Sequence, residues 1–250
     1  MSKQVVHNMI MPKELPKKEV LDGSTVFRVF SESLDDDGNR KYEANQFNPY
    51  FAVTLKSGSL LTEQGKCAHF KKKTHRFSPT VDGKRLVPAI YIGTTENVAL
   101  SETIFRSHDK KKPITLSDLD GKYLSELSFN QKVVLCDLSS PLLKGGALAQ
   151  FDFTSEESID SKQSTKAYKR CHEIANAIYQ HKDKVDGLIW ESRHLPNTYN
   201  IVLWQRESDF EPLDNYPLVR EELLLTGKGK QTVLLEACRL EIPASELMHN

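Results

Sequence analysis

Gly187-Leu-Ile-Trp-Glu-Ser-Arg-His-Leu-Pro-Asn-Thr-Tyr-Asn-Ile-Val-Leu-Trp204 is the stretch on which the fold turns. Two short apolar runs, Gly187–Trp190 and Ile201–Trp204, are rich in branched and aromatic side chains and flank the polar loop 191–200. They read as two strands joined by a loop. Upstream, Gln163–Lys182 is the clearest helix, because Ala167, Cys171, Ile174, Ala175 and Ile178 recur on one helical face. Asp186-Gly187 ends it. Lys132–Leu138 and Val87–Ile92 read as further strands, the second closed by Gly93. Thr94–Arg106 follows as a helix, with Thr94 or Thr95 as N-cap and Glu96 at the positive end of the dipole. Thr25–Phe30 is a strand, Asp35–Gly38 a turn, and Thr232–Leu240 is expected to be a late strand. Many short strands with two or three helices predict an α+β fold built on antiparallel sheets. Neither GxGxxG nor GxxxxGK[ST] occurs, which argues against a doubly wound nucleotide-binding domain.

Bulk properties exclude several classes. The 250 residues suffice for one large domain, with 38% hydrophobic and 27% charged residues. Lys+Arg 34 balances Asp+Glu 34, so any recognition by charge is local. No apolar run approaches the roughly 20 residues that cross a bilayer, and the first residues lack a signal-peptide core. The scattered Cys67, Cys136, Cys171 and Cys238 read as reduced thiols of a cytoplasmic protein, although an effector exported without a cleaved signal would look the same.

Four segments stand out together: Phe27-Arg-Val-Phe30, His75-Arg-Phe-Ser-Pro79, Tyr91-Ile-Gly-Thr-Thr-Glu-Asn-Val-Ala-Leu-Ser-Glu102, and Gly187–Arg193 with Asn200–Trp204. In this order they resemble the RES domain family, named for its Arg, Glu and Ser positions. The resemblance spans about residues 25–206, leaving 1–24 as an N-terminal extension that wraps the surface and 207–250 as a C-terminal segment packed on the same domain. It implies an ADP-ribosyltransferase-like fold of split antiparallel sheets with flanking helices. It also implies a toxin or effector that consumes NAD as substrate by hydrolysis or phosphorolysis, or that transfers ADP-ribose to a protein. Arg28, Arg76, Tyr91, Glu102 and Ser192 fall on the family's active-site positions. The family more often has Trp-Asn and a proline after the second arginine, where this chain has Phe77-Ser-Pro79, so Arg85 is a rival to Arg76.

The chemistry that the resemblance implies needs such a set. Guanidinium groups (Arg28, Arg76) can bind a pyrophosphate bidentately. Cleavage of an N-glycosidic bond develops positive charge on the ribose, which a carboxylate, Glu102, can stabilise. An aromatic ring, Tyr91, can stack on the cationic nicotinamide. Ser192 can bond a ribose hydroxyl or the carboxamide. Nicotinamide is a good leaving group, so neither metal nor covalent nucleophile is required, and no cofactor is expected beside NAD as substrate.

Each residue also has an ordinary reading: Arg28 as an edge charge, Arg76 as part of a solvated loop beside Lys71–Lys73, Tyr91 as core, Ser192 as a turn, and Glu102 paired with Arg106 at i+4. Their joint order favours function. Cys67, His69 and His75 lack the fourth ligand a zinc site wants. The lysine runs 71–73 and 110–112 are expected to be solvated faces, without enough aromatics for a nucleic-acid platform. A protein-directed transferase often carries Glu or Gln two residues before its catalytic Glu; Leu100 stands there. A binding module that has lost activity is the alternative outside enzymes. A cognate antitoxin or immunity protein is the partner the resemblance implies.

Overall fold

The computed structural model describes residues 11–32, 37–40, 43–45, 77–81, 85–108, 111–144, 161–192, 195–205 and 216–248. Its strands are β1 (Lys17–Val20), β2 (Thr25–Ser31), β3 (Thr80–Val81), β4 (Arg85–Leu86), β5 (Ala89–Gly93), β6 (Lys122–Ser128), β7 (Val133–Asp137), β8 (Gly187–Glu191), β9 (Tyr199–Trp204) and β10 (Leu218–Leu223). Six helices are described: α1 (Glu96–Thr103), α2 (Leu116–Leu119), α3 (Pro141–Lys144), α4 (Ser161–Tyr179), α5 (Gly227–Arg239) and α6 (Ser245–Met248). The protein is thus mixed α+β. Eight strands form one sheet in the order β1-β7-β8-β9-β5-β2-β6-β10, and β3-β4 pair separately.

The 187–204 hairpin forms as its sequence suggests, with Trp190 opposite Asn200 and Leu188 opposite Val202. One neighbouring pair departs from the antiparallel expectation: β7 and β8 run parallel. Parallel neighbours need a long crossover, and the chain between them contains α4. The sheet is uneven. β2 pairs with β6 at seven positions but meets β5 at a single one, Phe27 opposite Gly93. This divides it into a five-stranded part (β1, β7, β8, β9, β5) and a three-stranded part (β2, β6, β10).

Each part buries one face under helices. Cys171, Ile174, Ala175 and Ile178 of α4 pack on Ala89, Leu188, Val202 and Trp204. Ala99 and Leu100 of α1, with Val233 and Ala237 of α5, pack with Leu124, Phe27 and Val29. On the opposite face Val26, Ile90, Ile92, Leu127, Ile189 and Ile201 form a third cluster with Phe129 and Tyr216. A fully buried aliphatic side chain contributes roughly 1.5–3 kcal/mol, so these clusters outweigh the surface ion pairs.

Two sequence expectations are corrected. Thr232–Arg239 is helical, within α5, and Leu240 is its C-cap, because Gly229, Val233, Glu236 and Ala237 are its buried residues and their three- and four-residue spacing fits a helix. The β-branched pair Thr232-Val233 and the run Val233-Leu-Leu235 mask that period, and Leu235 points outward. Second, residues 17–20 do more than wrap the surface: they pair with β7 as an edge strand. The expected strand 87–92 begins at Ala89, after Pro88. Cys136, Cys171 and Cys238 are free thiols, and burial pushes the Cys136 thiol up to about 12, which keeps it protonated and unreactive. Cys67 lies outside the described residues. Among the described residues, no helix is long and apolar enough to cross a membrane.

Candidate active site

The site is built on the turn from β5 into α1. Gly93 ends β5 where the first turn of α1 presses on it: a Cβ there would lie 2.8 Å from the Ala99 amide nitrogen and 2.9 Å from Val98 Cγ1. Only glycine permits that approach. Thr94 then ties the turn to β9, its amide donating to the Tyr199 carbonyl and its Oγ1 accepting from the Tyr199 amide, both at 2.9 Å. Thr95 is the N-cap, and its hydroxyl accepts from the Val98 amide.

This fixes α1 so that Glu102, in its last turn, overhangs β9. Asn200 Nδ2 donates to Glu102 Oε1 at 3.0 Å. Asn200 is 5% exposed and sits in the row Phe27–Gly93–Asn200–Trp190 that crosses β2, β5, β9 and β8. No ion pair joins Glu102 to Arg106 among the described residues; the carboxylate answers to Asn200. Asn200 lies within the 187–204 stretch, where nothing but its own amide marks it as a site residue. Its signal was legible: an amide in an otherwise apolar strand must find a polar partner when buried.

Tyr91 lies two residues below Gly93 on the same face. Its ring meets Trp190 edge-on at 6.5 Å, and its hydroxyl accepts from the Phe77 amide at 2.6 Å. Phe77 is held twice more, by Trp204 Nε1 donating to its carbonyl at 3.0 Å and by its ring against Trp190 at 5.0 Å. His172 of α4 bonds the Ser78 carbonyl through Nδ1 at 2.7 Å, and burial lowers its pKa, favouring the neutral ring. Tyr91 thus clamps the segment that follows Arg76. Arg76 itself, with Cys67, His69, His75 and the lysine run 71–73, lies outside the described residues. Arg85 begins β4, paired through Val81.

Ser192 directly follows β8 and is 5% exposed; its amide donates to the Thr198 carbonyl at 2.8 Å, closing the wide end of the hairpin. It stands two residues beyond Trp190, at the end of the sheet where Glu102 and Asn200 meet. Arg28 is placed differently. Strand alternation puts it with Val26 on the face opposite Phe27 and Val29. It is half-buried, donates to the Ala44 carbonyl, and lies 5.5 Å from the Phe30 ring. Burial brings its pKa down to about 10, so it still carries its charge at neutral pH. Glu102, Asn200 and Ser192 therefore lie toward one end of the sheet, with Tyr91 two residues along β5 from Gly93, while Arg28 is one residue past the single β2–β5 contact, on the other face.

The RES domain model matches residues 62–221, nearly two thirds of the chain. The chain belongs to the RES domain family. The matched RES stretch contains Arg76, Tyr91, Glu102, Ser192 and Asn200, whereas Arg28 precedes it and α5 follows it. No curated protein matches the chain. Among solved structures, a chain of the M. tuberculosis MbcT–MbcA toxin–antitoxin complex aligns with 13% identity and a TM-score of 0.48, covering 88% of this chain and 92% of that one.

Proposed function

We propose that this RES protein cleaves NAD between nicotinamide and ribose, by hydrolysis or phosphorolysis, and acts as a toxin or effector in the cytoplasm. The observation that carries the reading is the Glu102–Asn200 pair at the end of β5 and β9. With Oε1 held by the amide, and no hydrogen bond to Oε2 among the described residues, Oε2 is available to a ribose hydroxyl. A carboxylate fixed in advance stabilises the positive charge that develops as the glycosidic bond breaks, with no reorganisation at that moment. In this reading Tyr91 lines the nicotinamide side, Ser192 bonds the ribose or carboxamide, and Arg76 and Arg28 take the pyrophosphate, Arg28 from the gap where β2 parts from β5. In an ADP-ribosyltransferase-like arrangement the cleft would open at that gap, where β2 meets β5 at a single position. Leu100 is fully buried in the core between α1 and α5, so it does not replace the polar residue of a protein-directed transferase. The extension 1–24, the domain 25–206 and the segment 207–250 serve one catalytic unit, and a cognate antitoxin or immunity protein would act by covering the cleft.

Purified protein incubated with NAD should release free nicotinamide at a rate that EDTA leaves unchanged. With phosphate present, a phosphorylated ADP-ribose product marks phosphorolysis, and free ADP-ribose alone marks hydrolysis. No nicotinamide release even with candidate protein acceptors present, with tight NAD binding retained, would reduce the protein to a binding module.

A further inference from the structure

The helix that bears Glu102 is seated by the end of the matched RES stretch and by α5, which follows it. Ser101, the residue beside Glu102, is fully buried, and its hydroxyl donates to Glu236 Oε1 of α5 at 2.7 Å. Glu236 is 2% exposed. Its carboxylate is gripped by Arg239, with Nε on Oε2 at 2.8 Å and Nη2 on Oε1 at 2.5 Å. At the other end of α1, Arg220 of β10 bonds Glu96 Oε1 at 2.6 Å while its Nε holds Glu126 Oε2 at 2.9 Å. The segment 216–248 thus bonds α1 near both ends and supplies Leu224, Val233, Ala237 and Leu247 to the core beneath it. Gly229 lets α5 close on β10, since a Cβ there would come within 2.3 Å of the Leu223 carbonyl oxygen.

A buried carboxylate is costly to desolvate, and apolar packing would hold two helices together at least as well. What a charged, bidentate pair adds is direction: it fixes the rotation of α1 about its axis through a single hydroxyl. We infer that Glu236 is a positioning residue. Held by Arg239, it locks α1 through Ser101 and so aims the Glu102 carboxylate at Asn200 and the reacting ribose. This rests on the reading of Glu102 as the carboxylate at the ribose.

The test uses the full chain with Ser101→Ala, Glu236→Leu, Glu236→Gln and the double variant Ser101→Ala/Glu236→Leu. Val133→Ala, a core change on β7 remote from α1, is the stability control. Two readouts are taken: the carboxyl titration of Glu102 by 13C NMR, assigned with Glu102→Gln, and nicotinamide release with NAD affinity measured separately. The Glu102 titration should shift in Ser101→Ala and Glu236→Leu and stay unchanged in Val133→Ala. Turnover should fall on the order of tenfold or more in the same two variants, since small misplacements of a reacting group are expensive. NAD affinity should hold within about threefold. The double variant should be no worse than either single one, because both break one linkage. Glu236→Gln should recover part of the loss, since its amide oxygen still accepts from Ser101 while its NH2 no longer accepts from Arg239 Nε. A folded Ser101→Ala protein with an unchanged Glu102 titration would overturn the inference. If the wild-type protein releases no nicotinamide, the NAD reading fails, and the titration alone decides the linkage.

Discussion

In the five-stranded part of the sheet, β8 and β9 are buried along most of their length and aromatic rings lock the surrounding segments. In the three-stranded part, β10 is half-exposed and carries Arg220, Glu221 and Glu222. Arg40 there bridges Glu32 at 2.7 Å and Glu221 at 2.6 Å and lies over the Tyr123 ring, while Arg220 bridges Glu96 and Glu126. Ion pairs of this kind, partly open to water, contribute little stability, about 0–1 kcal/mol each. They are directional all the same. The difference separates two tasks: the apolar part supplies the platform bearing Tyr91, Asn200 and Ser192, and the charged part holds the helix that brings Glu102 to it.

The sharpest way to break that division lies where the two parts meet. Glu102→Gln keeps size, helix propensity and most hydrogen bonding but removes the charge. It should lower nicotinamide release on the order of 10²–10³-fold, as deleting one preorganised electrostatic group does, with NAD affinity and melting temperature little changed. Wild-type turnover in a folded Glu102→Gln protein would make the carboxylate a spectator. Arg28→Ala acts on the charged part alone. If Arg28 reaches the pyrophosphate across the gap, NAD affinity should fall by roughly 10- to 100-fold, about 1.5–3 kcal/mol for a lost charge-assisted contact. Unchanged affinity with a lowered melting temperature would instead limit Arg28 to anchoring the Ala44 carbonyl.

The same contrast explains what the sequence made legible. The apolar runs of β2, β5, β7, β8 and β9, the Thr95 cap and the periodic face of α4 declare themselves because their environment is set by burial alone. Lys122–Ser128 and Leu218–Leu223 do not declare themselves as strands, since their side chains are half polar and their pairing is decided by charges far apart in sequence, such as Arg220 with Glu96 and Glu126. Within the helix at 227–239, residues 232–240 resemble a strand in sequence because β-branched and apolar residues cluster there, and the burial period appears only once α1 is in place. The strand–turn–helix block that places Glu102 on α1 is legible in the sequence; its Asn200 partner, 98 residues away, follows from β5 lying beside β9.

The most direct measurement is a crystal structure of the Glu102→Gln variant with NAD bound. The nicotinamide ribose should lie at the end of β5 and β9, a hydroxyl about 3 Å from the residue-102 side chain, with nicotinamide beside Tyr91. NAD seated away from this end of the sheet, with its ribose beyond hydrogen-bond reach of residue 102 and Asn200, would contradict the assignment of the site.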